Sequence, residues 1–541
     1  MLDTTLLDVA RPAEPRYWRR GRPWIYAGAA LTAALALFTN VRGARDFDLD
    51  EVMYAVAGQN IAEHGSISWG QQLTAVHPPL HFLLLGLWET VGGGGSVLEA
   101  MFHARTMGAL VTLLTVVAVG MLARRFTADP LLVAAAMIIF AVDAFVLRFG
   151  RTALIEPTAV MAQVIVVYLA IRLRRASSPT YIVVVGCVSG LALLVKEPLL
   201  FVTLVPLAVA LLRRDWPFLR RAGGSLLVAA AVYAVFPIWA GLNGAGSWWL
   251  AEHNISAERL FGLKQLSGLN RTGVSSFSVF TDSFLGYAAG YLVFALGAAG
   301  LLHLVVRHGR RPDERAAWLM AFGGLSFGFL AYCVLVGQAN EQLSVYSVVP
   351  AVLLTVLSFD GVARRVTVAV CVAAVAVSAL GWVTNVALAR DDATTRMGAR
   401  ITAQLPCVAV NATGNAERWV PVLPRNHVTA FRDGPAAVRS GVQAFLLSGK
   451  DSRLRYGNSS PELADWVKGN GRQLYGFGSR RYENIELWVV GGMTALSECA
   501  NPPRPIAANA SSSGFLALLF AVLALAAFGV VGRHRWVRRS I

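Results

Sequence analysis

The chain is short of charge. Only 15% of its 541 residues are Asp, Glu, Lys or Arg, against roughly 25% in a soluble domain. With 55% hydrophobic residues, that deficit excludes an ordinary soluble enzyme, and the apolar runs exclude a disordered chain. Five cysteines, none in CxxC spacing, are too few for a disulfide scaffold and exclude a zinc ribbon or a thioredoxin motif. There is no HExxH and no internal repeat at a fixed period. The first 23 residues are polar and basic and lack the apolar core and cleavage site of a signal peptide, so the first apolar run reads as an uncleaved anchor. Lysine is scarce too: Lys196, Lys264, Lys450 and Lys468 are the four present, so arginine carries the net charge of +16.

What the chain does have is long apolar runs. A membrane span needs about 20 predominantly apolar residues. Twelve such runs lie near 24–40, 104–123, 130–147, 157–173, 180–196, 198–212, 222–241, 282–306, 316–337, 345–360, 365–388 and 513–532. The run at 79–91 is shorter and ends at Gly92–Gly95, which suits a re-entrant or interfacial helix. Arginine placement fits that count. With 79–91 left out and the N-terminus inside, the inner segments carry 24 arginines, and the outer side of the membrane region carries nine basic residues. Cytoplasmic loops are the basic ones, so the positive charge is mostly topology, and nucleic acid is not an expected partner. Both ends, including Ile541, then face the cytoplasm.

The expected fold is a polytopic α-helical membrane protein of about twelve spans, with a small extracytoplasmic α/β domain before the last span. Its parts are a cytoplasmic segment at 1–23, a membrane domain at 24–388 with outer loops 41–103 and 242–281, the outer domain at 389–512, and the last span with its basic tail at 513–541. In the outer domain, short apolar runs at Cys407–Val410, Val442–Leu447, Gln473–Phe477 and Ile485–Val490 alternate with helix-like stretches at Thr394–Gln404 and Pro461–Gly469. The Pro/Ala/Ser-rich stretch Asn501–Ser513 reads as a linker.

Ionisable groups at membrane depth are costly, so each one is a functional candidate. The densest set is Arg45-Asp46-Phe47-Asp48-Leu49-Asp50-Glu51, which opens a helix-like segment to His64. Asp48 or Asp50 either caps that helix or joins a carboxylate pair that serves as general base or metal ligand. Val76-His77-Pro78-Pro79-Leu80 follows, with prolines that suit a helix start. His77 and His81 have the spacing of a zinc pair, but Pro79 between them and the lack of HExxH argue against that site. In Arg151-Thr152-Ala153-Leu154-Ile155-Glu156-Pro157, Glu156 is either an ion-pair partner of Arg151 or a functional group. Lys196 stands at the outer end of a span, against the inside bias of positive charge. It either pairs with Glu197 or holds an anion. Tyr346, Trp248, Trp249 and His253 are either interfacial belt residues or parts of a site.

In order and spacing, these pieces resemble the C-type glycosyltransferase superfamily (GT-C), and more closely the protein O-mannosyltransferases and the bacterial transferases that put aminoarabinose on lipid A. The acidic pair of that group matches Asp50-Glu51-Val52-Met53-Tyr54, and its K/H-P-P-L segment matches His77-Pro78-Pro79-Leu80. Its second-span arginine matches Arg105. Its R-x-A-L-x-D/E-x-P loop fits Arg151 to Pro157, with one residue fewer before the proline. Lys196 and the Tyr346-to-Pro350 pattern complete the set, which covers residues 24–360. Three positions depart from the pattern. Met53 stands where relatives often carry an arginine, His77 where many carry a lysine, and Glu341-Gln342 where a basic residue often precedes Tyr346. Each change removes fixed positive charge.

The resemblance implies a membrane glycosyltransferase that uses a polyprenyl-phosphate sugar. Its acceptor is a hydroxyl on a glycan, lipid or protein at the outer face of the membrane. A carboxylate takes the hydroxyl proton, and cations stabilise charge on the leaving phosphate. By that analogy Asp50 is the base, supported by Glu51. Lys196, Arg105, His77 and Tyr346 hold the donor phosphate, and Arg151 and Glu156 order the acidic loop. A divalent cation, Mg²⁺ or Mn²⁺, is an optional cofactor that would bridge the acidic pair and the phosphate. The rival classes are a transporter, although matching halves with interrupted helices are not visible, and a non-catalytic sugar- or lipid-binding protein. Cys407 and Cys499, the two cysteines of the outer domain, flank its strand-like runs. They either form a disulfide, which an outer compartment permits, or remain two buried thiols.

Overall fold

The structure is a computed structural model. It describes residues 16–539 apart from 44–45, 47, 70–71, 74–75, 94, 262, 264–275, 310, 336–340, 359–363, 415 and 493–510. Within helices and strands, the side chains of 16–22, 69, 72–73, 259, 276–286, 341, 364 and 528–539 also fall outside that description. Arg45, Lys264, Arg271 and Cys499 lie outside the described residues, as do both chain ends.

Helices cover all twelve apolar runs. By length and hydropathy, five described helices are long and apolar enough to cross a membrane: Val97–Ala123, Trp216–Leu242, Tyr287–His308, Glu314–Leu335 and Arg365–Ala387. The others are shorter apolar pieces, such as Pro130–Val142, Ser178–Leu193 and Gln342–Leu357. Among the described residues, helix length therefore supports five spans and does not confirm twelve. One reason is visible in the sequence. Asp143 breaks the run at 130–147, because its carboxylate accepts from the backbone N–H of Phe145 and Val146 and starts a new helix, Ala144–Phe149.

Two short segments bring the candidate residues together. The Leu49–His64 helix starts in a capping box. The Asp48 carboxylate accepts from Leu49 N at 2.9 Å, and the Asp48 N–H donates to Glu51 Oε2 at 3.2 Å. It packs along the Leu80–Gly92 helix. A Cβ at Gly86 would lie 2.4 Å from Ile61 Cγ2, so the glycine sets how closely the two helices approach. Leu80 N donates to Leu194 O at 3.2 Å, which ties the His-Pro-Pro-Leu start to the chain just before Lys196. Across the way, Gly108 of the Val97–Ala123 helix lets that helix lie against the Arg151 loop. A Cβ there would fall 2.3 Å from the Thr152 carbonyl oxygen.

A two-residue hairpin, β1 (Ser68–Trp69) and β2 (Gln72–Leu73), sits in the first loop. The sheet domain holds β3 (Ala409–Ala412), β4 (His427–Thr429), β5 (Ala444–Ser448), β6 (Arg472–Ser479) and β7 (Glu483–Val489). The strand order is β4-β3-β5-β7-β6, parallel over the first three and antiparallel over the last two pairings. The helices Ala393–Gln404 and Pro461–Asn470 agree with the expected stretches. Strand β4 was not foreseen, because three half-exposed residues give no alternation to read. Cys407, at the head of β3, is disulfide-bonded, whereas Cys187, Cys333 and Cys371 in the helices carry thiols.

Candidate active site

Neighbours in the acidic loop have opposite surroundings. Glu51 is fully buried. Its carboxylate takes Nε and Nη2 of Arg105 at 2.8 and 2.7 Å and the N–H of Ala153 at 3.0 Å. Arg105 is 1% exposed. Two of its guanidinium nitrogens are thus bound to Glu51, which is the geometry of a structural clamp between helix and loop. The sequence placed Glu51 beside the base and Arg105 on the phosphate. In the structure the two bind each other away from solvent, and Arg105 Nη1 also reaches the carbonyls of Val41 and Arg42 at 3.5 Å.

Asp50, one residue earlier, points the other way. It keeps solvent contact yet has protein on most sides. Desolvation first, then the charges of Asp48 and Glu156, push its carboxyl up to about 7, while Lys196 and Arg481 pull it down. A carboxyl balanced near neutral pH can both accept and release a proton.

Lys196 and Glu156 meet in a buried ion pair. Glu156 Oε1 also accepts from Gln342 Nε2 at 2.8 Å and from the Tyr346 hydroxyl at 3.4 Å. Lys196 Nζ stands 5.9 Å from the centre of the Tyr346 ring. Tyr346 is fixed in turn by Gln163, whose Nε2 donates to its carbonyl at 2.8 Å. Three of the expected residues therefore converge. The pairing within them differs from both local alternatives: Arg151 reaches the carbonyl of Ala36 at 3.4 Å, and Glu197 turns to His253 and Tyr233, each at 3.3 Å. Lys196 has extended backbone, so its side chain and that of Glu197 leave on different sides.

His77 is half-buried and meets the edge of the Tyr54 ring at 6.0 Å, and His81 meets the same ring at 6.1 Å. The Nδ1 of His81 bonds the Thr158 hydroxyl at 3.1 Å, and its Nε2 is buried without a hydrogen-bond partner. Tyr54 lies in the electrostatic field of Asp50 and Glu156, so this aromatic group neighbours both carboxylates.

Sequence reasoning missed Arg481. It lies on the turn between β6 and β7 and forms an ion pair with Asp48, 433 residues away. The signal was a basic pair, Arg480-Arg481, at a turn between two strand-like runs on the side of the membrane expected to be poor in positive charge.

A divalent cation does not fit these residues. Mg²⁺ and Mn²⁺ favour carboxylate oxygens, but Asp48 is matched to Arg481, Glu51 to Arg105 and Glu156 to Lys196. Among the described residues, no three His, Cys, Asp or Glu side chains form a ligand set. Asp48, Glu51 and Glu156 are instead each paired with a cation of the chain itself.

Residues 39–239 match the family model described as dolichyl-phosphate-mannose-protein mannosyltransferase. That segment contains the acidic loop, His77, Arg105, Glu156 and Lys196. Solved structures extend the likeness over most of the chain. ArnT from Cupriavidus metallidurans, bound to undecaprenyl phosphate, is 14% identical with a TM-score of 0.53 over 89% of this chain and 99% of its own. The chain shares the fold of that structure. The oligosaccharyltransferase AglB from Archaeoglobus fulgidus, in complex with an inhibitory peptide and a dolichol-phosphate, matches at 13% identity with a TM-score of 0.53, over 89% of this chain and 75% of that one. No curated protein matches by sequence. The GT-C resemblance drawn from the motifs thus holds both for the family segment and for the fold.

Proposed function

We propose that this multi-pass membrane protein transfers a sugar from a polyprenyl-phosphate donor to an acceptor hydroxyl, with inversion, on the outer face of the membrane. One observation carries the reading. Asp50 is a solvent-touching carboxylate near neutral pKa, within the electrostatic reach of the buried Lys196–Glu156 pair, which Tyr346 joins. The GT-C fold and the mannosyltransferase segment support it.

The acceptor O–H gives its proton to the Asp50 carboxylate as its oxygen bonds to the anomeric carbon. The bond from that carbon to the phosphate oxygen breaks, and polyprenyl phosphate leaves with the electron pair. Lys196, Tyr346 and His77 lie on the side where that negative charge grows, and a preorganised cation is most effective where water is excluded. Glu156 holds Lys196 and Tyr346 in place. Arg151, Arg105 and Glu51 maintain the loop. The loops 41–103 and 242–281 and the domain 389–512 then face outward, with both ends in the cytoplasm, as the arginine distribution implies.

Membranes containing the protein, incubated with a panel of labelled polyprenyl-phosphate sugars, provide the test. Transfer of label to an acceptor, lost in Asp50→Asn, is the expected result. Label that crosses the membrane unchanged would favour a transporter, and donor binding without turnover would favour a non-catalytic lipid-binding protein.

A further inference from the structure

We propose that the outer domain completes the active site, with Arg481 as a positioning residue that holds the helix start carrying Asp50. This inference rests on the transferase reading for its kinetic consequences, but not for its geometry.

Arg481 is not a loose surface cation. Its Nε donates to the hydroxyl of Tyr482 at 2.9 Å, and its Nη2 reaches the Asp48 carboxylate. Tyr482 is buried, and the Arg418 guanidinium lies 3.7 Å from its ring centre. Arg418 is itself 3% exposed and pairs with Asp451 at 3.1 Å. A chain of contacts thus runs from the interior of the sheet domain to the first turn of the Leu49–His64 helix: Asp451, Arg418, Tyr482, Arg481, Asp48. Cation–π contacts gain strength when desolvated, so the stack fixes the direction of Arg481 before any substrate arrives.

The same turn is fastened from a second side. Ser479 Oγ and Arg480 N donate to Asp391 Oδ1 at 2.7 and 3.1 Å, and Asp391 N donates to Gly43 O at 2.9 Å. Thr394 N donates to Asp46 Oδ2 at 3.0 Å. These contacts already dock the domain on the acidic loop, so Arg481 is not needed merely to attach it. What Arg481 adds is charge and direction. Asp48 and Asp50 are like charges two residues apart, Glu156 and Lys196 act on Asp50 from other elements, and Tyr54 stands near it on the same helix. Without the guanidinium, the Asp48 carboxylate would repel Asp50 unopposed. The helix start would also lose this link to the 479–482 turn.

The test uses the full chain in lipid nanodiscs, with Arg481→Met, Arg481→Lys and Val467→Ala compared with wild type. Val467 is buried in a separate apolar cluster of the outer domain, so its truncation destabilises the domain without touching the turn. We expect Arg481→Met to lower kcat by about 10–100-fold, as small misplacements of a reacting group do. Donor KM should stay within about threefold and the acid limb of the rate profile should move to higher pH. Arg481→Lys should recover much of kcat, and Val467→Ala should lower Tm with kcat and the acid limb unchanged. A substrate-free readout accompanies this: carbodiimide labelling of Asp50 against pH by peptide mapping. Its midpoint should rise in Arg481→Met and return in Arg481→Lys. Wild-type kcat and an unmoved Asp50 midpoint in Arg481→Met would overturn the proposal, as would losses that only track Tm in the way Val467→Ala does. If no polyprenyl-phosphate sugar is transferred by wild type while the labelling midpoint still shifts, the transferase reading fails and the positioning role stands.

Discussion

Glu51 and Asp50 are adjacent carboxylates on one helix start, and their surroundings separate two regions of the molecule. Glu51 has no solvent exposure and is matched by Arg105 and the Ala153 N–H. Asp50 keeps water contact, shares its field with four charged groups, and is pushed up to about 7. The first arrangement satisfies a buried charge and so holds two elements together. The second leaves a charge incompletely satisfied, and an incompletely satisfied carboxylate is one that can take a proton. A motif of two acids therefore divides into a clamp and a carboxylate left open to take up a proton, according to the surroundings of each residue.

The largest expected effect comes from breaking the clamp. Arg105→Ala leaves Glu51 buried and unpaired, a change that costs about 3–5 kcal/mol. We expect little folded protein in detergent by size-exclusion profile and thermal unfolding. Adding Glu51→Gln removes the orphan charge and should recover part of the loss. Equal instability of the single and double variants would show that the arginine acts through packing alone.

Asp50→Asn comes next, and it acts on rate rather than fold. Loss of a general base lowers turnover by about 10²–10⁴-fold. Because the folded carboxyl is raised from 3.8 to about 7, it binds a proton more tightly in the folded state than in the unfolded one. Stability therefore falls as pH rises between those values. The Asn variant should have a Tm equal to wild type near pH 4 and above it at pH 8. Wild-type transfer should decline as pH drops through about 7, where Asp50 takes up its proton. A variant with near-normal transfer would remove Asp50 from the mechanism.

These comparisons show what was legible in the sequence. The acidic helix start, the His-Pro-Pro-Leu segment, Lys196 and the Tyr346-to-Pro350 pattern were readable, because charged groups beside apolar runs are conspicuous and prolines mark helix starts. The choice of partners was not. Glu156 takes Lys196 rather than Arg151, and Glu51 takes Arg105 from 54 residues away. Which cation neutralises a buried carboxylate depends on how helices pack, and spacing along the chain does not report that. Arg481 was the hardest to see, since its partner Asp48 lies in another domain. The span count was only partly legible for a related reason. A polar side chain such as Asp143 can split an apolar run by capping a new helix, and hydropathy averages over that break.

The Asp50 region can be sharpened through Lys196. A charge-assisted bond to phosphate contributes about 1.5–3 kcal/mol, so removing the lysine should weaken polyprenyl-phosphate binding by roughly 10–150-fold. Lys196→Met alone would strand Glu156, so the informative protein is Lys196→Met with Glu156→Gln, which leaves no orphan charge. We expect its donor affinity to fall with Tm within a few degrees of wild type. Unchanged affinity with a lowered Tm would make the pair structural and move the phosphate elsewhere.

The smallest effect concerns the sheet domain alone and tests whether it is held by more than its docking contacts. Cys407 is disulfide-bonded, and Cys499, which lies outside the described residues, is its expected partner. Such a bridge would close a loop of about 90 residues, for which the chain-entropy account gives roughly 4–5 kcal/mol. That figure assumes an unfolded chain free at both ends. Here the domain is preceded by the apolar helix Arg364–Trp382 and followed by Ser512–Arg539, and it is pinned through Asp391 and Arg481. Anchors of that kind restrict the unfolded state before any sulfur bond forms, so the gain should shrink to about 1–2 kcal/mol, the low end of the usual range. Cys407→Ser should therefore lower Tm slightly and leave transfer kinetics intact, because the bridge lies away from the 479–482 turn in sequence and the turn has its own fastening. Peptide mapping without reductant should find Cys407 linked to Cys499. Alkylatable thiols at both positions in freshly purified protein would end the pairing, and a large fall in kcat in Cys407→Ser would mean that the turn depends on the bridge after all.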